Sequence, residues 1–279
     1  PKAIFVSGRE KASLFIGSGN VGFGGWKQNG EIWNRFDTDS NDTGAFTSFQ
    51  NYLYQIGKAV PLNDSILQEI QESFDPNTRS WVEDLNEADS LIGKVNTGIS
   101  LIDQMFNVLE GRSVEKLTIC SPYFDIEGEM VNELSIRSGA KSTSVLVQPQ
   151  NTNLTQKAVD KFNDSIELKL VTFLSHEGSN NFLHAKFFAF QFGDLVTVFS
   201  GSSNCSKAAL MIPKSKGNVE LMSYTTISLE EFEREYVGEL DLIENPPDLK
   251  KNIEIEQEDF SLKHDEITAK REKDLLSAA

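Results

Sequence analysis

One polar pattern occurs twice in this chain, and any fold for it has to give both copies equivalent surroundings. The first copy reads Lys2, Gly17-Ser18-Gly19-Asn20 and Asn29-Gly30-Glu31. The second reads His184-Ala185-Lys186, Gly201-Ser202-Ser203-Asn204 and Asn218-Val219-Glu220. The step from lysine to first glycine is fifteen residues in both, and the copies lie 184 residues apart. A polar set repeated at fixed offsets points to two halves that give equivalent groups to one site. The first copy has no histidine, because the position that would hold it precedes Pro1. If the repeat is real, the parent protein is expected to carry His there, and truncation of the parent is favoured over a natural start at Pro1.

The flanking texture repeats too. Ala3 to Val6 and Ser13 to Ile16 are short apolar runs around a polar turn, and Phe187–Phe192 and Leu195–Ser200 flank Gly193-Asp194. Both read as strand, turn, strand. Glu31 to Phe36 and Glu220 to Tyr224 read as the strands that follow. Residues 45–110 show helical spacing at Phe49, Leu53, Ile56 and Val60, at Ile66, Ile70 and Phe74, and at Ile92, Val95, Ile99, Ile102 and Met105. From Leu117 strand signals alternate with helical ones: Leu117 to Ser121, residues 127–136, Ser144 to Gln148, Leu154 to Phe162 and Glu167 to Phe173. That alternation predicts βαβ units and a mostly parallel sheet. Beyond Ile243 the chain becomes Pro-rich and then highly charged.

Composition sets the class. The chain has 279 residues, 19 of them Phe, enough for a large core and two lobes. It contains no apolar run of membrane-spanning length. Two cysteines far apart in sequence, Cys120 and Cys205, suit a reducing, cytoplasmic setting. The formal net charge is −16, and 16 acids against 7 bases fall in residues 230–279. An acidic balance disfavours non-specific nucleic-acid binding, which relies on Lys and Arg displacing counterions, but much of this charge sits in a tail.

Gly17-Ser-Gly-Asn-Val-Gly22 also fits the dinucleotide-binding template, with Asp37 at the place of a ribose-binding acid. The glycines that follow argue against the helix this template requires. The second copy carries chemistry of another kind. His184 and Lys186, at i and i+2, project to one side of an extended chain. Imidazole can attack or carry a proton near neutral pH. Lysine and asparagine can hold anionic oxygens, and Glu220 can orient the His184 imidazole through its other nitrogen. Two such sets would put two histidines on opposite sides of a phosphorus centre. No cluster at metal-ligand spacing appears, and no cofactor is expected.

His184-x-Lys186 with Gly201-Ser202-x-Asn204, and Lys2 with Gly17-Ser18-x-Asn20, resemble the HKD motifs of the phospholipase D superfamily over roughly residues 1–240. Ser121-Pro122-Tyr123-Phe124 resembles a strand end that opens a lobe in that family. The family's Asp, five residues after the lysine, is replaced by Ser7 and Gln191. The resemblance implies a bilobal α/β fold, with mixed, mostly parallel sheets flanked by helices and lobes related by a pseudo-two-fold axis. It also implies metal-independent phosphodiester cleavage through a phosphohistidine.

The expected organisation is the remainder of a first lobe at 1–44, a helical connector at 45–113, a second lobe at 114–244 and a charged linker or tail helix at 245–279. Expected catalytic residues are His184, Lys186, Asn204, Glu220, Lys2, Asn20 and Glu31, with Ser202 and Ser18 binding substrate. The expected substrate is nucleic acid, with another phosphodiester such as a phospholipid, or a degenerate binding domain, as alternatives. A further domain beyond either terminus is possible on this reading, and oligomeric state stays open. His176 and His264 read as ordinary polar-segment histidines, Cys205 as packing, Trp26 and Trp33 as core or stacking residues, and Lys27 and Lys207 as phosphate ligands or surface charges.

Overall fold

The computed structural model describes residues 1–22, 25, 29–40, 43–59, 62–86, 89–94, 99–149, 151–173, 181–211, 218–244 and 249. Among these, β1 (Ala3–Ser7), β2 (Ala12–Gly17) and β3 (Trp33–Asp37) form a three-stranded antiparallel sheet. Helices α1 (Gly44–Ala59) and α2 (Asp64–Ser73) follow. A second sheet has eight strands: β4 (Leu91–Lys94), β5 (Lys116–Cys120), β6 (Ser142–Val147), β7 (Ile166–Phe173), β8 (Phe187–Phe192), β9 (Leu195–Gly201), β10 (Glu220–Ser228) and β11 (Leu240–Leu242). Their order is β11-β7-β6-β5-β8-β9-β10-β4. Helices α3 (Leu101–Leu109), α4 (Glu129–Ser138), α5 (Gln156–Val159), α6 (Lys207–Leu210) and α7 (Leu229–Phe232) connect the strands.

The α/β class and the helix-flanked sheet agree with expectation, but the sheet is mixed rather than mostly parallel. Only β5–β6 and β6–β7 run parallel. The other five pairings are antiparallel. The two parallel pairs are those whose connections carry α4 and α5. The turn between β8 and β9 is two residues long, too short for a crossover, so those strands reverse direction.

The strand residues show why the large sheet lies inside. Phe187-Phe188-Ala189-Phe190 of β8 is apolar on both faces, as suits a central strand covered on both sides. Phe188 and Phe190 join the core beneath α3 and α4, with Leu101, Met105, Leu117, Ile119 and Val145. Phe187 and Ala189 face the opposite core, with Val171, Val196, Val198 and Phe232. A third core packs β2 residues Leu14 and Ile16 against Phe46, Phe49 and Tyr52 of α1. There Phe5 stacks on Phe74 at a centroid distance of 4.9 Å and meets Phe49 edge-on at 5.7 Å.

The segment 45–113 is not wholly helical. Leu91–Lys94 is a strand at the edge of the large sheet, paired with β10, so Ile92 belongs to β4 and not to a helix. Three apolar or small residues in a row, Leu91-Ile92-Gly93, are compatible with either structure, and pairing with β10 decides the matter. The helix expected over 154–162 is one turn long, Gln156–Val159, capped by Thr155. Val60, Val95 and almost all of the tail lie outside the described residues. No described helix is long and apolar enough to cross a membrane.

The small sheet reaches the large one through a backbone bridge. Gly30 N–H donates to Phe182 O at 2.8 Å, and His184 N–H donates to Gly30 O at 2.9 Å. Asn34 Nδ2 donates to Ser200 Oγ at 2.7 Å beside it. The segment carrying Glu31 is thereby fixed against the segment carrying His184. Because Phe188 is fully buried at the centre of the larger core, Phe188→Ala should cost about 3–5 kcal/mol of stability, read from urea unfolding.

Candidate active site

The two copies of the pattern build the same local structure. Lys2 O accepts from Gly17 N at 3.1 Å, and Lys186 O accepts from Gly201 N at 3.3 Å. Ser18 N donates to Ile32 O at 3.0 Å, and Ser202 N donates to Leu221 O at 3.1 Å. Ser18 Oγ accepts from Ile32 N at 3.0 Å and donates to Glu31 Oε2 at 2.6 Å. Ser202 Oγ accepts from Leu221 N at 3.1 Å and donates to Glu220 Oε2. Each glycine is required by close approach. A Cβ on Gly17 would strike the Trp33 ring and Ile32 O, and one on Gly201 would strike Leu221 O and Met222 Cα.

Ser18 and Ser202, the expected substrate-binding serines, are buried, and their hydroxyls bond a glutamate and a backbone N–H. In this arrangement they hold the two carboxylates in place.

Glu31 crosses to the other copy. Its Oε1 lies 2.8 Å from His184 Nδ1, and both side chains are nearly buried. Asn29 Nδ2 adds a bond to the same oxygen at 3.3 Å. Burial pushes the Glu31 carboxyl up, but hydrogen bonds from His184, Ser18 and Asn29 outweigh it, and its pKa lies below the ordinary value. An ionised Glu31 makes Nδ1 the protonated nitrogen of a neutral His184, which leaves Nε2 with the lone pair. Lys186 Nζ stands 3.1 Å from that Nε2 and donates to His184 O at 2.8 Å. His184 and Lys186 occupy the extended segment that leads into β8.

The cations are held against their own preference. Lys186 is fully buried, and its pKa falls to about 7 through desolvation, with repulsion from Lys2 adding and Glu31, Cys120 and Glu220 opposing. Lys2 donates to Ser18 O at 2.8 Å, and burial lowers its pKa while Glu31 and Glu220 raise it. Glu220 feels the charges of Lys2, Lys94 and Lys186. Asn204 is half-buried, and its Oδ1 has no hydrogen-bond partner among the described residues. Asn20 is exposed and makes no side-chain hydrogen bond among the described residues. The structure therefore gathers Lys2, Glu31, His184, Lys186 and Glu220, leaves Asn204 with an unused buried oxygen, and does not tie in Asn20.

Two residues escaped the sequence reading. Lys94 of β4 is the register partner of Glu220, is fully buried and donates to Ala208 O. Burial lowers its pKa, and Glu220 raises it. Tyr52 donates its hydroxyl to Glu220 O at 3.2 Å, and burial followed by the charge of Glu220 pushes its pKa up. A lysine closing an apolar run was the available signal for Lys94. Both thiols are buried, and burial raises that of Cys120 to about 12, so neither is a ready nucleophile. Trp33 lies against Gly17 and Gly19, and Lys207 pairs with Glu129 at the surface. Trp26, Lys27, His176 and His264 lie outside the described residues. Among the described residues no group of three His, Cys, Asp or Glu side chains gathers that could hold a metal ion.

No protein-family model matches the sequence, and no curated protein matches it. Solved structures do. Yeast tyrosyl-DNA phosphodiesterase is similar at a TM-score of 0.53 and 9% identity, over 80% of this chain and 66% of that one. The fold is phospholipase D-like. Polyphosphate kinase from Porphyromonas gingivalis is similar at a TM-score of 0.45 and 13% identity, over 90% of this chain. This chain spans only 34% of that kinase's length. NucT from Helicobacter pylori is similar at a TM-score of 0.37 and 18% identity, over 55% of this chain and 98% of that one.

Within this phospholipase D-like fold the lysines repel one another. Removing Lys2 takes away a like charge, so Lys2→Met should raise the Lys186 pKa above about 7. Titration of the Lys186 side chain by NMR checks this, and an unchanged or lower value would contradict the proximity. The folded pKa of Lys186 lies below its unfolded value of 10.5. Unfolded chain therefore binds more protons between about 7 and 10.5, and the destabilisation from burying this lysine is relieved as pH rises across that window.

Proposed function

We propose that this chain is a phosphodiesterase of the phospholipase D kind, that its substrate is nucleic acid, and that His184 carries the reaction. The observation behind this reading is the cross-copy contact of Glu31 with His184 Nδ1, with Lys186 beside Nε2. Lys2, Lys186 and the amide of Asn204 suit the non-bridging oxygens of a phosphate. In an overall acidic chain, a buried cluster of lysines selects for an anion at this one place.

In the proposed sequence, His184 Nε2 attacks phosphorus and the bond to the leaving oxygen breaks. The leaving alkoxide takes a proton from a second acid. Water then attacks the phosphohistidine, gives its proton to the conjugate base of that acid, and releases a phosphate monoester with His184 restored. Glu31 keeps Nδ1 protonated and stabilises the cationic ring of the intermediate, while the lysines offset charge on the phosphoryl oxygens. The offset that maps Lys186 onto Lys2 maps His184 onto the position directly before Pro1. A histidine there would meet Glu220 as His184 meets Glu31, and would serve as the second acid. The buried, free Cys120 and Cys205 fit a cytoplasmic setting.

His184→Ala should reduce cleavage of a labelled oligonucleotide by about 10²–10⁴-fold or more, and Glu31→Gln by about 10²-fold or more. EDTA should leave the rate unchanged, and loss of activity on chelation would sink the metal-independent route. Chain carrying a histidine immediately before Pro1 should cleave at least tenfold faster than chain carrying alanine there, about 1.4 kcal/mol in the barrier. Equal, background-level rates from both would favour a non-catalytic binding domain.

A further inference from the structure

Two aromatic rings flank His184, and each is held by a polar bracket on its backbone. The Phe182 ring lies 5.2 Å from the imidazole, centroid to centroid, at 53°. The Tyr123 ring lies at 6.3 Å, nearly edge-on at 73°, and the residue is 42% exposed. An exposed aromatic on a free loop would mean little, but the Tyr123 turn is fixed on both sides. Ser121 Oγ donates to Tyr123 O at 2.9 Å and accepts from Tyr123 N at 3.3 Å. The same hydroxyl accepts from Cys205 N at 3.1 Å, which ties the turn to the residue after Asn204. Asn153 clamps the next residue, its Oδ1 accepting from Phe124 N at 2.7 Å and its Nδ2 donating to Phe124 O at 2.8 Å. Gln148 brackets Phe182 in the same way, donating to Asn181 O at 2.9 Å and accepting from Leu183 N at 2.8 Å.

The molecule thus holds a flat, solvent-facing ring in fixed relation to both the imidazole and the Asn204 loop. Pre-setting an aromatic face removes the ordering cost that a ligand would otherwise bear. The chemistry such a face recognises is another flat π-system, and in nucleic acid that is a base. In a duplex each base is already stacked and paired, so its face is not available. An acyl chain would gain nothing from a rigid planar ring that a flexible apolar groove would not give it.

We propose that Tyr123, with Phe182 as the adjoining wall, is a stacking subsite for an unpaired nucleobase next to the phosphate at His184. The preferred substrate is then single-stranded nucleic acid. This rests on the phosphodiesterase reading above, so binding and cleavage are measured separately. The probes are fluorescein-labelled oligothymidylate of twelve residues, the same strand in duplex, and a twelve-residue strand of abasic tetrahydrofuran units with identical phosphates.

Anisotropy at fixed salt should show the chain binding oligothymidylate at least tenfold more tightly than the abasic strand or the duplex. Tyr123→Ala and Tyr123→Leu should remove that preference, and Tyr123→Phe and Tyr123→Trp should retain it. Leucine keeps apolar bulk without a ring, so it separates stacking from packing. Circular dichroism of each variant shows whether it is folded, and Tyr123→Phe keeps the test open should the alanine variant fail to fold. Equal affinity for oligothymidylate and the abasic strand would overturn the stacking subsite, whatever the cleavage result. Preferential binding with no cleavage of any probe, even with a histidine before Pro1, would uphold the subsite and overturn the phosphodiesterase reading.

Discussion

The side-chain contact that joins the two copies of the repeat is the Glu31 carboxylate on the Nδ1 of His184, across 153 residues of chain and beside the backbone bond of His184 to Gly30. Much of the surrounding structure serves to make that contact possible. A buried carboxylate is unfavourable unless its lone pairs are satisfied, and Ser18, Asn29 and His184 together satisfy them. The Gly30 bridge to residues 182–184 fixes its length and direction. The third core, with α1 packed on β2, secures the small sheet that carries Ser18. Loss of the imidazole would leave a charge buried with fewer partners, so the contact supports local structure as well as chemistry.

Around this contact the chain gathers charge that ordinary folding would avoid. Lys186 and Lys94 are fully buried, Lys2 stands close by, and only Glu31 and Glu220 balance them. Each lysine loses basicity through desolvation, and Lys186 loses more through repulsion from Lys2. An incoming phosphate would supply the missing negative charge and turn repulsion into attraction. The overall charge of −16 is no obstacle, because the acids concentrate in residues 230–279 and the cations are inside.

Much of this was legible in the sequence because the repeat is local. Lys2 to Gly17 and Lys186 to Gly201 are each spanned by one hairpin, so residue spacing translates directly into geometry. Glu31 and Glu220 were legible as a polar pair, but Glu220 was the expected partner of the His184 imidazole; that Glu31 takes this place depends on the Gly30 bridge between segments far apart in the chain. What the sequence did not reveal depends on strands far apart in the chain. Lys94 comes to Glu220 only through the β4–β10 pairing, and an apolar run of this length reads equally well as helix. The antiparallel majority in the large sheet comes from one tight hairpin, β8–β9, and from the pairings β9–β10, β5–β8, β4–β10 and β7–β11 across long stretches of chain, which the βαβ rhythm of residues 117–173 does not announce. The bracing role of the serines was not legible, because a hydroxyl that binds an anion and one that braces a carboxylate look alike in sequence. Only the backbone position of Ile32 and Leu221 distinguishes them.

The near-identity of the two brackets makes their differences informative. The serine, the glutamate and the lysine carbonyl repeat bond for bond. The groups that would meet a substrate do not. Lys2 turns its ammonium to Ser18 O, whereas Lys186 turns its own to the imidazole. Asn20 is exposed, whereas Asn204 is half-buried with an unpartnered oxygen beside a turn that also carries Tyr123. Duplication therefore accounts for the frame, which serves to hold two carboxylates. The asparagines depart most, one exposed and one half-buried, and a phosphodiester, with one entering and one leaving oxygen, suits a site whose two sides differ.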